Sequence, residues 1–182
     1  MEYRHEKIVG TVTTPKSEEA INPQRFSKWR RLIRVTAFIQ RLARRIRAKH
    51  SGGQRQDGPP TLSELQEAET LWLKEAQKSP YRRMQKKEFD ALSPFVDNKG
   101  VIRVGGRVDN VVVSYDSRHP ALLPYGPSIS LLITRHMHQC GHGGVASTTA
   151  KIRARYWILK ASKFAKSVKL KCAFRREMVR RV

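Results

Sequence analysis

"HMHQCGHGGVASTTAKIRARYWILKASKFAKSVKLKC" spans residues 136–172, and its reading decides the fold. Two imidazoles, His138 and His142, stand four positions apart around a glycine-rich break, and a thiol, Cys172, closes the stretch. Just upstream, "SISLLITRHMHQC" repeats Ile129, Leu132, Ile133 and His136 at helical spacing. "GHGG" interrupts that helix, and Val145, Thr149, Ile152 and Tyr156 then take up a new helical period. "YWIL" is short, extended and apolar, and Ser162 is placed to cap a last helix with Phe164, Val168 and Cys172 turned inward. A His-x3-His pair lets two rings converge from a helix end and the turn after it. Glycines at 141, 143 and 144 free the backbone to swing His142 round. With the Cys172 thiolate as a third donor, the set would suit zinc over magnesium or calcium, while His138 and His142 by themselves also read as two ordinary surface histidines.

Outward from this stretch the texture changes several times. Residues 1–22 are polar, without helical period, and are expected to form a disordered arm. Asn22-Pro23 is a helix start, followed by Phe26, Trp29, Leu32, Ile33, Thr36, Ile39, Leu42 and Ile46 as one apolar stripe. Between Arg25 and Lys49 the same helix holds ten Lys/Arg and no acid, which makes 23–49 a basic amphipathic helix. "HSGGQRQDGPP" (50–60) is a linker. Thr61 and Glu64 form a capping box that opens a helical segment over 61–89 carrying Leu62, Leu65, Ala68, Leu71, Trp72 and Ala76, with Pro80 expected to end the helix. Its glutamates, the most acidic part of the chain, are expected to pack on the protein's own basic surface. "PFVDNKGVIRVGGRVDN" reads as a hairpin with a turn at Asp97–Gly100, and "HPALLP" as another short strand; together they make a β-hairpin extension over 90–124. Residues 125–178 are left as a helical module, which the resemblance described below implies to be of the integrase zinc-binding type. The fold predicted is mainly α with a small β-hairpin: a helical pair followed by a helical zinc-binding module.

Composition narrows the function. The 182 residues hold 37 Lys+Arg against 15 Asp+Glu, a net charge of +22, with only 39 % apolar residues. A field of that sign attracts polyanions, so DNA or RNA is the leading partner class. Two cysteines make no disulfide framework and point to a reducing, intracellular setting. The start, "MEYRHEKIVG", carries acids and no apolar run, and no stretch nears the roughly 20 apolar residues of a membrane span, so no membrane partner is expected. Residues 151–182 hold twelve Lys/Arg and one acid, Glu177. Lys163, Lys166, Lys169 and Lys171, with Arg175 and Arg176 beyond them, can track phosphates along an exposed helix face. No Asn, Gln or paired Arg set suited to reading bases stands out, so binding is expected to be largely independent of sequence.

The stretch 136–172 resembles the His–His–Cys–Cys zinc-binding domain at the N-terminus of retroelement integrases: "HGGV", "KIRARYWI" and "VKLKC" fall where that family places them. "RFSKWRRLIRVTAFIQR", "LQEAETLWLKEAQ", "GVIRVGGRVDN" and "HPALLP" are similar to the segment preceding the integrase in BEL/Pao-type retrotransposon polyproteins, so that the resemblance covers residues 24–178. It implies that His138, His142 and Cys172 are zinc ligands in a non-catalytic DNA-binding and assembly module serving DNA integration, nuclear in location and able to self-associate. The family's second cysteine stands three residues after the first, where this chain has Arg175. A permanent guanidinium cation offers zinc no lone pair. Cys140, Glu177 or a water molecule are the candidates for the fourth corner. The integrase catalytic core, with its three carboxylates, has no counterpart before Val182, so strand transfer by this chain alone is not expected. Two rival readings are a zinc-independent basic nucleic-acid binder and a retroelement relic without function.

Overall fold

The computed structural model describes residues 21–48, 58–85, 89–105, 114–126 and 128–172. Residues 1–20 of the expected 1–22 arm, most of the 50–60 linker, and Arg175, Arg176 and Glu177 lie outside the described residues, whereas Ile21 is buried in the core. Among the described residues, six α-helices and four short strands follow in the order α1 (Trp29–Ala48), α2 (Leu62–Gln85), β1 (Pro94–Val96), β2 (Ile102–Val104), α3 (Tyr115–Arg118), β3 (Ala121–Leu123), α4 (Ser128–Gln139), α5 (Val145–Arg153), β4 (Tyr156–Ile158) and α6 (Ala161–Leu170). The architecture is mainly α with a small sheet, as the periodicities predict.

Asn22 caps a single 3-10 turn, Pro23–Arg25, by accepting from the Gln24 N–H; Phe26 is extended, and α1 begins only at Trp29. The first half of α1 buries the stripe the sequence shows: Trp29, Leu32, Ile33, Thr36 and Ala37 pack with Ala68, Trp72, Leu73 and Ala76 of α2. The Trp72 indole N–H donates to the Thr36 hydroxyl (2.8 Å), which donates to the Leu32 carbonyl (2.9 Å). In the second half the expected stripe fails. Leu42 and Ile46 are exposed, and the buried position is Arg41. The reason is the helical period: six residues from Thr36 to Leu42 turn about 600°, roughly 120° off the buried face.

Arg41 is tolerated there because every arm of its guanidinium has an acceptor. Its Nε donates to Glu64 Oε1 (2.8 Å) and Nη2 to Glu64 Oε2, while the Gly58 and Pro59 carbonyls take the rest at 2.7 and 3.0 Å. Glu64 also closes the capping box, accepting from the Thr61 N–H (2.8 Å) while its own N–H reaches the Thr61 hydroxyl (3.3 Å). The Arg41 hydrogen bond, followed by that of the Thr61 N–H, holds the Glu64 carboxyl down at about 2. The acidic helix thus lies against the basic one, with Arg44 near Glu64 and Glu67.

α2 does not end at Pro80 but runs on to Gln85. A proline removes one rung of the ladder and bends a helix. Here the turn before it, Ala76–Gln77, is buried and anchored to the sheet. The sheet has strand order β1-β2-β3-β4: the expected hairpin pairs Pro94 with Val104, a single register pair, Arg103↔Ala121, joins β2 to β3, and β4 runs parallel to β3 with Ala121↔Tyr156 and Leu123↔Ile158. The Asp97 carboxylate organises the hairpin turn by accepting from the Lys99 and Val101 N–H groups and from Arg103 Nε, and Gly100 takes φ +74. Gly105 lets its strand end approach the Ser93 carbonyl, which a Cβ would meet at 2.6 Å. The Gln77 amide binds two strands at once: Nε2 donates to the Ile102 and Leu122 carbonyls (both 2.8 Å), and Oε1 accepts from the Ile102 N–H (2.9 Å).

Gln77→Met keeps the side-chain length and leaves three buried backbone groups without their partner, so we expect a loss of about 3 kcal/mol in urea unfolding. Because the Glu64 pKa lies below its ordinary 4.5, its stabilisation is fully present above about pH 4.5 and fades as pH falls toward 2. Denaturant midpoints of the parent and Glu64→Gln should therefore converge over that window.

Candidate metal centre

The site is built by how α4 stops. Its last turn carries the buried His138, and the chain then reverses through Gly141 (φ +111) and His142, itself left-handed at φ +47. The reversal is held by backbone: the His142 N–H donates to the His138 carbonyl (2.8 Å) and the Cys140 N–H to the His136 carbonyl (3.2 Å). Lys151 Nζ, reaching back from α5, donates to the Cys140 carbonyl. The glycines flank the bend as the sequence suggests, yet the strained residue is the histidine. A non-glycine side chain in this region carries a cost that a continuous helix would avoid, and its effect here is to fold the His142 ring back beside His138. The two ring centroids lie 5.5 Å apart, nearly perpendicular.

The third donor arrives from α6. Leu159 N–H pairs with the Leu123 carbonyl (2.9 Å) at the end of β4, the chain turns through Lys160 at φ +58, and α6 begins at Ala161. Ser162, expected to cap this helix, lies inside its first turn instead, because the strand pairing fixes the chain reversal at Lys160. Phe164, Ala165 and Val168 are buried, and Cys172, two residues past the helix, faces the bend. His142 Nδ1 and Cys172 Sγ are 3.3 Å apart, and His138, His142 and Cys172 each present one donor atom within 4.8 Å of the others. A tetrahedral zinc with Zn–N about 2.0 Å and Zn–S about 2.3 Å spaces N and S by roughly 3.5 Å, so the His142–Cys172 edge already has the right length.

The donors are also prepared chemically. The Thr148 hydroxyl donates to the Gly143 carbonyl (3.5 Å) and lies 3.2 Å from His138 Nδ1. In the tautomer with its proton on Nδ1, the His138 ring donates to this hydroxyl and keeps its lone pair on Nε2, the form that ligates a metal. Thr148 was not singled out from the sequence; its only signal is that it shares the inward face of α5 with Thr149 and Ile152. The three donors border a cleft also lined by Ser27, Arg135, Gln139, Ser167 and Lys171, through which a fourth ligand can reach them.

Other sequence candidates are placed elsewhere. Cys140 is exposed and does not join the cluster, since it follows the last helical residue on the outer side of the bend. His136 is half-buried on the opposite side of α4; burial, then the nearby Arg30 charge, lower its pKa. Lys163, Lys166 and Lys171 are exposed and Lys169 is half-buried, along a helix whose inner face is apolar. Among the described residues no helix is long and apolar enough to cross a membrane. No family model matches the chain, and no curated protein or solved structure matches it.

Cobalt titration reads this geometry directly. The parent is expected to develop a sulfur-to-cobalt charge-transfer band that Cys172→Ser abolishes. Thr148→Val, which removes the hydroxyl partner of His138 and none of the ligands, should weaken the metal about tenfold while retaining the band.

Proposed function

We propose that this chain is a zinc-held, nucleic-acid-binding and assembly module of a retroelement integrase, without catalytic activity of its own. The observation that carries the reading is the convergence of His138, His142 and Cys172 within 4.8 Å, from a helix end, a strained turn and a later helix. Imidazole and thiolate donors together favour zinc among the common cations. The zinc would tie the end of α6 to the α4–α5 bend, a structural task. Support for the nucleic-acid role comes from charge and its arrangement: Lys163 and Lys166 stand on the exposed arc of α6, and Lys171, just past its end, lines the cleft beside the donors together with Arg135. The ordered motifs between residues 24 and 178 supply the link to integrases and a setting in DNA integration.

A second reading, a basic nucleic-acid binder that needs no zinc, is favoured by one feature: the His142–Cys172 hydrogen bond joins α6 to the bend with no ion. Metal analysis of the purified protein separates the two. With zinc as the tie, His142→Asn lowers the melting temperature in zinc-containing buffer; a parent without zinc that melts like this variant rejects the metal reading. Arg175→Cys adds a thiolate where the family has one and should raise zinc affinity strongly in competition with a chromophoric chelator. Unchanged affinity would assign the fourth corner to another group.

For nucleic acid, log affinity should fall against log salt by about 0.9 per duplex phosphate contacted. Changing Lys163, Lys166 and Lys169 together to Glu should weaken binding alike on unrelated duplexes and flatten that slope. A strong preference for one sequence would overturn the phosphate-tracking account.

A further inference from the structure

The outer face of α1 supplies no residue to the candidate metal centre, and its Phe38 ring lies beside the Arg41 guanidinium, 5.9 Å from the ring centroid. Phe38, Leu42 and Ile46 are 48 %, 56 % and 60 % exposed. Steps of four residues set them in one row about 12 Å long at 1.5 Å rise per residue. The helical period places Arg31, Arg34 and Arg45 along the same row, and α1 contains no acid. Arg31 and Arg34 are exposed, and neither has an ion-pair partner among the described residues.

The other side of α1 shows what such a face accepts. There an apolar row meets α2, while Arg41 and Arg44 meet Glu64 and Glu67 at the edge of the contact. The outer row repeats this pattern of apolar side chains flanked by arginine, without the acidic helix. We infer that it docks an acidic amphipathic helix of a partner protein, whose apolar side chains at three- and four-residue steps cover Phe38, Leu42 and Ile46 and whose carboxylates face Arg31 and Arg34. Charge complementarity selects this occupant. A second copy would bring two arginine-lined rows together. Nucleic acid would leave three apolar side chains against phosphates. An anionic bilayer takes up a broad apolar face, whereas this one is a single row on a helix held to the core by its other side.

The proposal is independent of zinc and of nucleic-acid binding, because α1 supplies no candidate ligand. Its test uses the full chain and a labelled helical peptide carrying three leucines four residues apart with glutamates beside them. Fluorescence anisotropy at physiological salt should show binding that weakens about tenfold or more with a scrambled peptide, with Leu42→Gln/Ile46→Gln, and with Arg31→Glu/Arg34→Glu. All four substituted positions are on the surface, and the scrambled peptide tests the unaltered protein, so folding of the variants does not decide the result. Equal affinity for the scrambled peptide would overturn the proposal in favour of plain charge attraction. So would absence of peptide binding, whether accompanied by Leu42-dependent binding to phosphatidylserine-containing vesicles, by a Leu42-dependent dimer in sedimentation, or by neither.

Discussion

The side-chain amide of Gln77 is the junction on which the rest of the molecule hangs. Strands of three residues share too few ladder bonds to hold a sheet alone, and β2 and β3 have a single register pair between them. Gln77 donates two hydrogen bonds and accepts one where the ladder is thinnest, from a helix buried on the opposite side against α1. A neutral amide can do this because it both donates and accepts, so no charge has to be desolvated. Helix α2 thereby behaves as part of the sheet. Through β3 it fixes the start of the segment that carries both histidines.

What the sequence revealed was what is local. The Thr61–Glu64 box, the Asp97–Gly100 turn and the first half of α1 depend on residues within a turn or two of one another, and each forms where its pattern stands. The drift of Leu42 and Ile46 off the buried face follows from the helical period, but the burial of Arg41 in their place was not legible, because it depends on Glu64, twenty-three residues away. Pro80 misled for a similar reason: the local penalty is real, but Gln77 and its distant partners hold the helix. The parallel β3–β4 pair was invisible, since "HPALLP" and "YWIL" carry no mark of each other.

The candidate metal centre was more legible than the sheet. Chemistry marks His138, His142 and Cys172 whatever the fold, and spacing alone limits how they can meet. Left unread were the left-handed backbone at His142, which the neighbouring glycines disguise, and Thr148, which looks like any helix threonine. The charge pattern was read correctly in sum and only partly in detail. Glu69, on the acidic helix, accepts from the Tyr156 hydroxyl and lies near Arg155, so part of the basic excess is consumed inside the molecule. Burial, and then the Glu69 charge, push the Tyr156 hydroxyl well above its usual range, which keeps its proton available for that bond.

The parallel pairing of β3 with β4 also orders events in time. Parallel neighbours cannot be joined by a tight turn; the chain must first travel out and back, here through α4, the bend at Gly141–His142 and α5. Ala121 therefore meets Tyr156 only after a loop of some thirty-five residues has been drawn together, an entropic toll that compact helices reduce by shortening the gap. Helix formation in this segment is local and fast, whereas strand closure is non-local and slow. The bend that brings the two imidazoles together would then be complete before the sheet that braces it.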